Sequence, residues 1–163
     1  MSSRTRTITW EDPTAALGKA AGMTGLEFLQ AIFSGTLPAP PITATMGFTG
    51  AEAEEGKVTF VGEAGEHLYN PIGVVHGGFA MTILDSAMAC AVHSTLAAGE
   101  AYTTLETKVN FVRPITLETG RLRCEGTIVH RGGKVATAEG RLIAETTGKL
   151  LAHGTTTCLV FKR

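Results

Sequence analysis

Asp85 is the residue best placed to do chemistry in this 163-residue chain. At helical spacing its neighbours are Met81, Thr82, Met88 and Ala89, so no lysine or arginine on the same helix face can pair with it. Buried alone, such a carboxylate drifts toward its neutral form. Hydrogen bonds or a polar cleft keep it ionised and usable as base or nucleophile. The structural alternative is an aspartate on an exposed stripe, or one satisfied by a distant backbone N–H. His76-Gly77-Gly78 precedes it, where a loop enters the helix. Unpaired N–H groups and the positive end of the helix dipole point out of that first turn, which suits an oxygen gaining charge in a transition state. The glycines permit close approach of backbone to a ligand, or they only let loop and helix pack tightly.

These groups need a helix to hold them, and residues 79–94 supply about four turns without proline. The segment is nearly apolar all round and is expected to be buried, with Ala80, Ser86, Ala87, Ala89 and Ala91 allowing a sheet or a partner to come close. Residues 70–78 read as a loop. Upstream, Thr24-Gly25-Leu26-Glu27 has capping-box form and opens a short amphipathic helix through Leu29, Ala31, Ile32 and Phe33, ended by Pro38, Pro40 and Pro41. Residues 1–41 therefore read as an N-terminal helical arm.

Strands are expected at 42–48 and 57–64, separated by a turn-prone segment over 50–56. Alternation at Leu105, Thr107, Val109 and Phe111, and again at Leu122, Cys124, Gly126 and Ile128, predicts an antiparallel meander. Gly132-Gly133 marks a hairpin, and Thr147-Gly148 a turn before a last strand over 150–161. The order gives an α+β domain over 42–163, with an antiparallel sheet covering one long helix. One helix covers one sheet face, so the other face or a sheet edge calls for a homo-oligomer.

With 14 Lys and Arg against 15 Asp and Glu, no charge excess points to a nucleic acid or a membrane surface. Cys90, Cys124 and Cys158 are scattered and odd in number, as buried free thiols in a reducing compartment would be. A cytoplasmic location is expected, since neither a signal peptide nor a membrane span is legible. No metal site is expected, because His67, His76, His93, His130 and His153 lack ligand-like spacing and no CxxC pair occurs. No G-x-S-x-G turn or glycine-rich phosphate loop is present. His93, in the last helical turn, suits the negative end of the helix dipole.

The combined pattern N-P-I-G-V-V-H-G-G-F-x-x-x-x-x-D, then T-L-E-T-K-V-N-F-V-R-P and the R-G-G-K hairpin, resembles the hotdog-fold acyl-CoA thioesterases of the phenylacetate-degradation (PaaI) type. The resemblance runs from about residue 42 to the C-terminus and leaves the arm without a role. It implies that the Gly77 N–H polarises a thioester carbonyl, that Asn70 assists, and that His76 shapes the loop. Asp85 would act as general base toward water or as nucleophile through a transient anhydride, with Thr104 helping to hold the water. Some relatives carry serine at that position. The resemblance further implies a dimer with shared sites, Asn70 and Gly77 from one subunit and Asp85 and Thr104 from the other, and a tetramer as a dimer of dimers.

For coenzyme A, which is part of the substrate and not a cofactor, the implied contacts are Gly78, Arg113, Arg131, Gly132, Gly133 and Lys134. A basic pair flanking a hairpin is otherwise an ordinary solvated turn. Lys108 and Glu106 read as an exposed cross-strand face. Met81, Met88 and Phe111 would line a pocket for an aromatic or medium-chain acyl group, or belong to the core. Two other readings stand beside hydrolysis. One is an acyl-CoA hydratase or dehydratase pairing His76 with Asp85; the other is an acyl-CoA binding protein without catalysis.

Overall fold

The computed structural model describes residues 3–162. Three short helices come first: α1 (Ala15–Lys19), α2 (Gly25–Phe33) and α3 (Pro41–Met46). The capping box expected at Thr24 is present, its side chain accepting from the Glu27 N–H while the Glu27 carboxylate accepts from the Thr24 N–H. Strands β1 (Phe48–Glu54) and β2 (Lys57–Glu63) lead into the long helix α4 (Gly77–His93). Strands β3 (Glu100–Phe111), β4 (Arg121–Arg131), β5 (Val135–Ala144) and β6 (Leu150–Lys162) complete the chain.

The six strands form one antiparallel sheet in the order β1-β2-β4-β5-β6-β3. The sheet wraps α4, as the sequence leads one to expect. After leaving α4 the chain runs to the far edge, so β3 pairs with β6 on one side and, among the described residues, has no strand on the other. Among the described residues no helix is long and apolar enough to cross a membrane.

One expected element is wrong in kind. Residues 42–48 do not begin as a strand: Pro41 stands at the first helical turn, where its fixed φ fits and its missing N–H is no loss, and α3 follows. Gly47, at φ +83°, ends that helix in the left-handed region. The strand is formed instead by the segment read as turn-prone, and only Glu55-Gly56 turns, with Gly56 at φ +77°. The alanines and glutamates of β1 carry little strand propensity, and six residue pairs with β2 override it.

Small residues decide how α4 meets the sheet. Gly126, Gly140 and Gly154 lie directly opposite one another on β4, β5 and β6, forming a row without side chains across three strands. A Cβ on Gly126 would stand 2.2 Å from the Ala87 carbonyl oxygen, and one on Gly140 2.8 Å from Met88 Cγ. The backbone of α4 therefore rests in a trough, with Ile83, Leu84, Ala87, Met88 and Val92 sealed from solvent around it. Gly126→Ala pushes against helix backbone that cannot swing aside, and costs about 1–3 kcal/mol. Gly133→Ala, with no atom within 4 Å of its Cβ, stays within about 0.5 kcal/mol of wild type. Urea denaturation of the two variants measures the difference.

Candidate active site

α4 presents its least buried stripe away from the trough, through Gly78, Thr82, Asp85, Ser86, Cys90 and His93. Asp85 is half-buried on it. Its Oδ1 accepts hydrogen bonds from Thr107 Oγ1 at 3.0 Å and Thr104 Oγ1 at 3.3 Å, both from β3. The carboxylate that its own helix leaves without a cation is thus compensated by two hydroxyls of the strand alongside. Thr107 stands inside the T-L-E-T-K-V-N-F-V-R-P pattern but carries no role there, and its part was missed because it reads as one of several alternating strand residues.

At the other end of the stripe the loop before α4 is ordered by its own side chains. Asn70 Oδ1 accepts from the N–H groups of Ile72 and Val74 at 3.1 and 3.2 Å, which closes the turn and leaves the amide NH2 to serve as a donor elsewhere. His76 caps the helix, its Nδ1 accepting from the Gly78 N–H at 2.9 Å. That bond places the ring proton on Nε2. Gly77, the first helical residue, makes no hydrogen bond through its N–H among the described residues. The Phe111 ring covers it so closely that a Cβ would stand 3.0 Å from the ring edge.

Asn70, Gly77, Phe111 and Arg113 line one groove of about 440 Å³. Arg113 is exposed at its rim and donates to the Leu150 carbonyl at 2.7 Å. Asp85 and Thr104 lie outside this groove, since eight residues of helix separate Gly77 from Asp85 by about 12 Å along the axis. The expected residues thus fall into two groups, Asn70-Gly77-Arg113 and Asp85-Thr104.

The hairpin forms a third place. Arg131 is ion-paired with Glu100 at 2.9 Å and donates to the Gly132 carbonyl. Lys134 is exposed on the same turn, and the turn is closed by Gly132 N–H to the Val135 carbonyl at 2.9 Å, one residue later than Gly132-Gly133 suggested. Glu100 begins β3 and Phe111 ends it, so the hairpin and Arg113 stand at opposite ends of a strand about 36 Å long.

The thiols are placed against chemistry of their own. Burial, helped by the charge of Asp85 and by Cys158, pushes the Cys90 thiol up to about 12. Burial also raises Cys124 and Cys158. Such groups stay protonated at neutral pH and are poor nucleophiles. His93 packs between the rings of Phe28 and Tyr102, at centroid distances of 5.5 and 5.2 Å.

The family model for the thioesterase superfamily matches residues 72–151. Among solved structures, a phenylacetic acid degradation-related protein of Ralstonia eutropha JMP134 is 30% identical, with 80% of this chain and 98% of that one covered at a TM-score of 0.72. A mutant of the phenylacetic acid degradation protein PaaI from Thermus thermophilus is 25% identical, covering 74% and 98% at a TM-score of 0.66. A Streptococcus mutans UA159 protein solved with acetyl-CoA is 25% identical, covering 71% and 90% at 0.64. No curated protein matches the chain in sequence. With a matching relative covered over nearly its whole length, and α4 seated in a sheet that carries the helix carboxylate and the capped loop, this chain belongs to the thioesterase superfamily and is a thioester hydrolase of the hotdog fold.

Proposed function

We propose that the chain hydrolyses an aromatic or medium-chain acyl-CoA at a site built from two subunits. The observation that carries this reading is the division of the site: Gly77 lines one groove while Asp85 lies outside it. Neither half suffices for hydrolysis. The Gly77 N–H, the Asn70 amide and the helix dipole would stabilise the carbonyl oxygen as it gains charge. Asp85 would take the proton of the attacking water, or attack the carbonyl itself to give an anhydride that water then cleaves. The C–S bond breaks, and coenzyme A leaves as a thiolate that takes up a proton.

A second copy of the chain supplies the missing half. β3 has an unpaired edge twelve residues long, flanked by large apolar side chains: Leu105 57%, Phe111 55%, Val112 45% and Met81 42% exposed. Such an edge invites antiparallel pairing. Two β3 strands related by a two-fold axis bring the Phe111 end of one against the Glu100 end of the other. Gly77, beneath Phe111, then approaches the partner's Asp85, and Arg113 approaches the partner's Lys134. A coenzyme A phosphate would lie between those two cations. The acetyl-CoA complex of the Streptococcus mutans relative supports a CoA thioester as substrate. The hydratase reading loses ground, because His76 is engaged as the helix cap and stands nine residues from Asp85 on the same chain.

Thiol release from a panel of acyl-CoAs tests the activity, and Asp85→Asn lowers kcat by about 10²–10⁴-fold. Turnover of short polar acyl-CoAs alone would overturn the acyl assignment, and binding without turnover would overturn catalysis. Asn70→Asp keeps the acceptor that closes the loop and removes the amide donor, so it too is inactive. Mixed one to one with Asp85→Asn and allowed to exchange subunits, it recovers about a quarter of wild-type activity, because half the dimers hold one intact site. No recovery after demonstrated exchange would sink the shared site. Arg113→Ala raises KM for acyl-CoA several-fold with kcat little changed, as loss of a phosphate contact remote from the reacting atoms requires.

A further inference from the structure

In a regular strand, residues three apart point to opposite faces. Thr104 and Thr107 are three apart, yet both hydroxyls reach the same oxygen of Asp85. The pairing of β3 with β6 explains how. Thr104 stands opposite Cys158, Glu106 opposite Thr157 and Thr107 opposite Thr156, so Leu105 is an extra residue with no partner across the ladder. This bulge shifts the phase of the strand by one and turns Thr107 onto the face that carries Thr104. On β6, Cys158 and Thr156 are two apart, both fully buried behind the hydroxyls.

The bulge is fastened. Thr156 Oγ1 donates to the Glu106 carbonyl at 2.7 Å, taking up a backbone acceptor at the irregular step, and lies 3.2 Å from Thr107 Oγ1. On the outer face, Thr157 Oγ1 donates to Glu106 Oε1 at 2.7 Å. A hydroxyl has one proton and a carboxylate only accepts, so Thr107 gives its proton to Asp85. Both bonds fall on Oδ1, and Oδ2 has no hydrogen bond among the described residues.

We infer that Thr107, turned inward by the Leu105 bulge and backed by Thr156, is a positioning residue: it anchors Asp85 Oδ1 so that Oδ2 faces the water or the thioester. The inference rests on the reading of Asp85 as base or nucleophile. Thr107 makes the shorter of the two bonds, and Thr104 is left to share its hydroxyl with a water. Loss of the anchor frees the carboxylate to rotate away from its working direction without altering the binding groove around Gly77.

Thr107→Val keeps the shape and removes the hydroxyl, and Thr107→Ser restores it without the methyl group. The expected result is a fall in kcat of about ten- to a hundredfold for the valine variant. KM for acyl-CoA stays within about twofold, and the serine variant recovers most of the rate, because the groove is untouched. Should the valine variant not fold, Thr107→Ala replaces it in the same comparison. Asp85→Asn is measured alongside. If it is inactive while Thr107→Val turns over like wild type, the positioning role is overturned and the Asp85 reading stands. A loss in KM alone, or serine no better than valine, overturns it equally. If Asp85→Asn keeps wild-type kcat, the reading of Asp85 fails and the inference with it.

Discussion

The close seating of α4 on the sheet is the constraint on which the remaining structure depends. Three glycines in register across β4, β5 and β6 remove every side chain beneath Ala87 and Met88. The helix sinks until its backbone meets the sheet, and Met88 fills the trough between Gly140 and Gly154. Interiors pack at the density of organic crystals, so this depth is fixed to within a few tenths of an ångström. The depth in turn sets how far Asp85 stands from β3. A helix held one methyl group higher would leave the hydroxyls of Thr104 and Thr107 short of the carboxylate.

The same helix serves at its first turn and at its middle for different reasons. Its first turn offers N–H groups and a positive dipole beside a loop that satisfies itself: Asn70 closes the turn and His76 caps the helix, leaving the Gly77 N–H without a partner among the described residues. Its middle offers a carboxylate whose charge is met by hydroxyls and not by a cation. The raised thiols of Cys90 and Cys158 alongside add no competing charge.

Much of this was legible in the residues. The capping box at Thr24, the loop from residue 70, the long buried helix, which starts at Gly77 and not at residue 79, and the hairpin near Gly132 follow from local chemistry, and local chemistry survives folding when tertiary packing does not oppose it. The strand placed at 42–48 failed because Pro41 favours a helix start as readily as it ends the helix before it. β1 was missed because its alternation is weak, and pairing with β2 makes it a strand. Asp85 and the His76-Gly77-Gly78 turn stood out as candidates by type and position, and Asn70 entered only through the family resemblance. Thr107 did not stand out, since a bulge without glycine or proline leaves no mark in the sequence: reading Leu105, Thr107, Val109 and Phe111 as one face takes an unbroken period of two, and the extra residue breaks it at its first step.

That irregularity sits on the strand with the free edge, and the two facts bear on each other. A bulge raises local twist and removes a rung from the ladder, which in a central strand would disturb both neighbours. On β3 only β6 is disturbed, and Thr156 takes up the Glu106 carbonyl at the irregular step. Bulges also occur on the inner strands β4 and β6, at Val129 and Leu151, but the one that aims two hydroxyls at Asp85 disturbs a single ladder. The cost is an open edge with Leu105 standing out from it, and a second β3 paired there would cover what the bulge exposes. In the proposed two-subunit site, the device that holds the carboxylate and the surface that would recruit the other half are one feature of one strand.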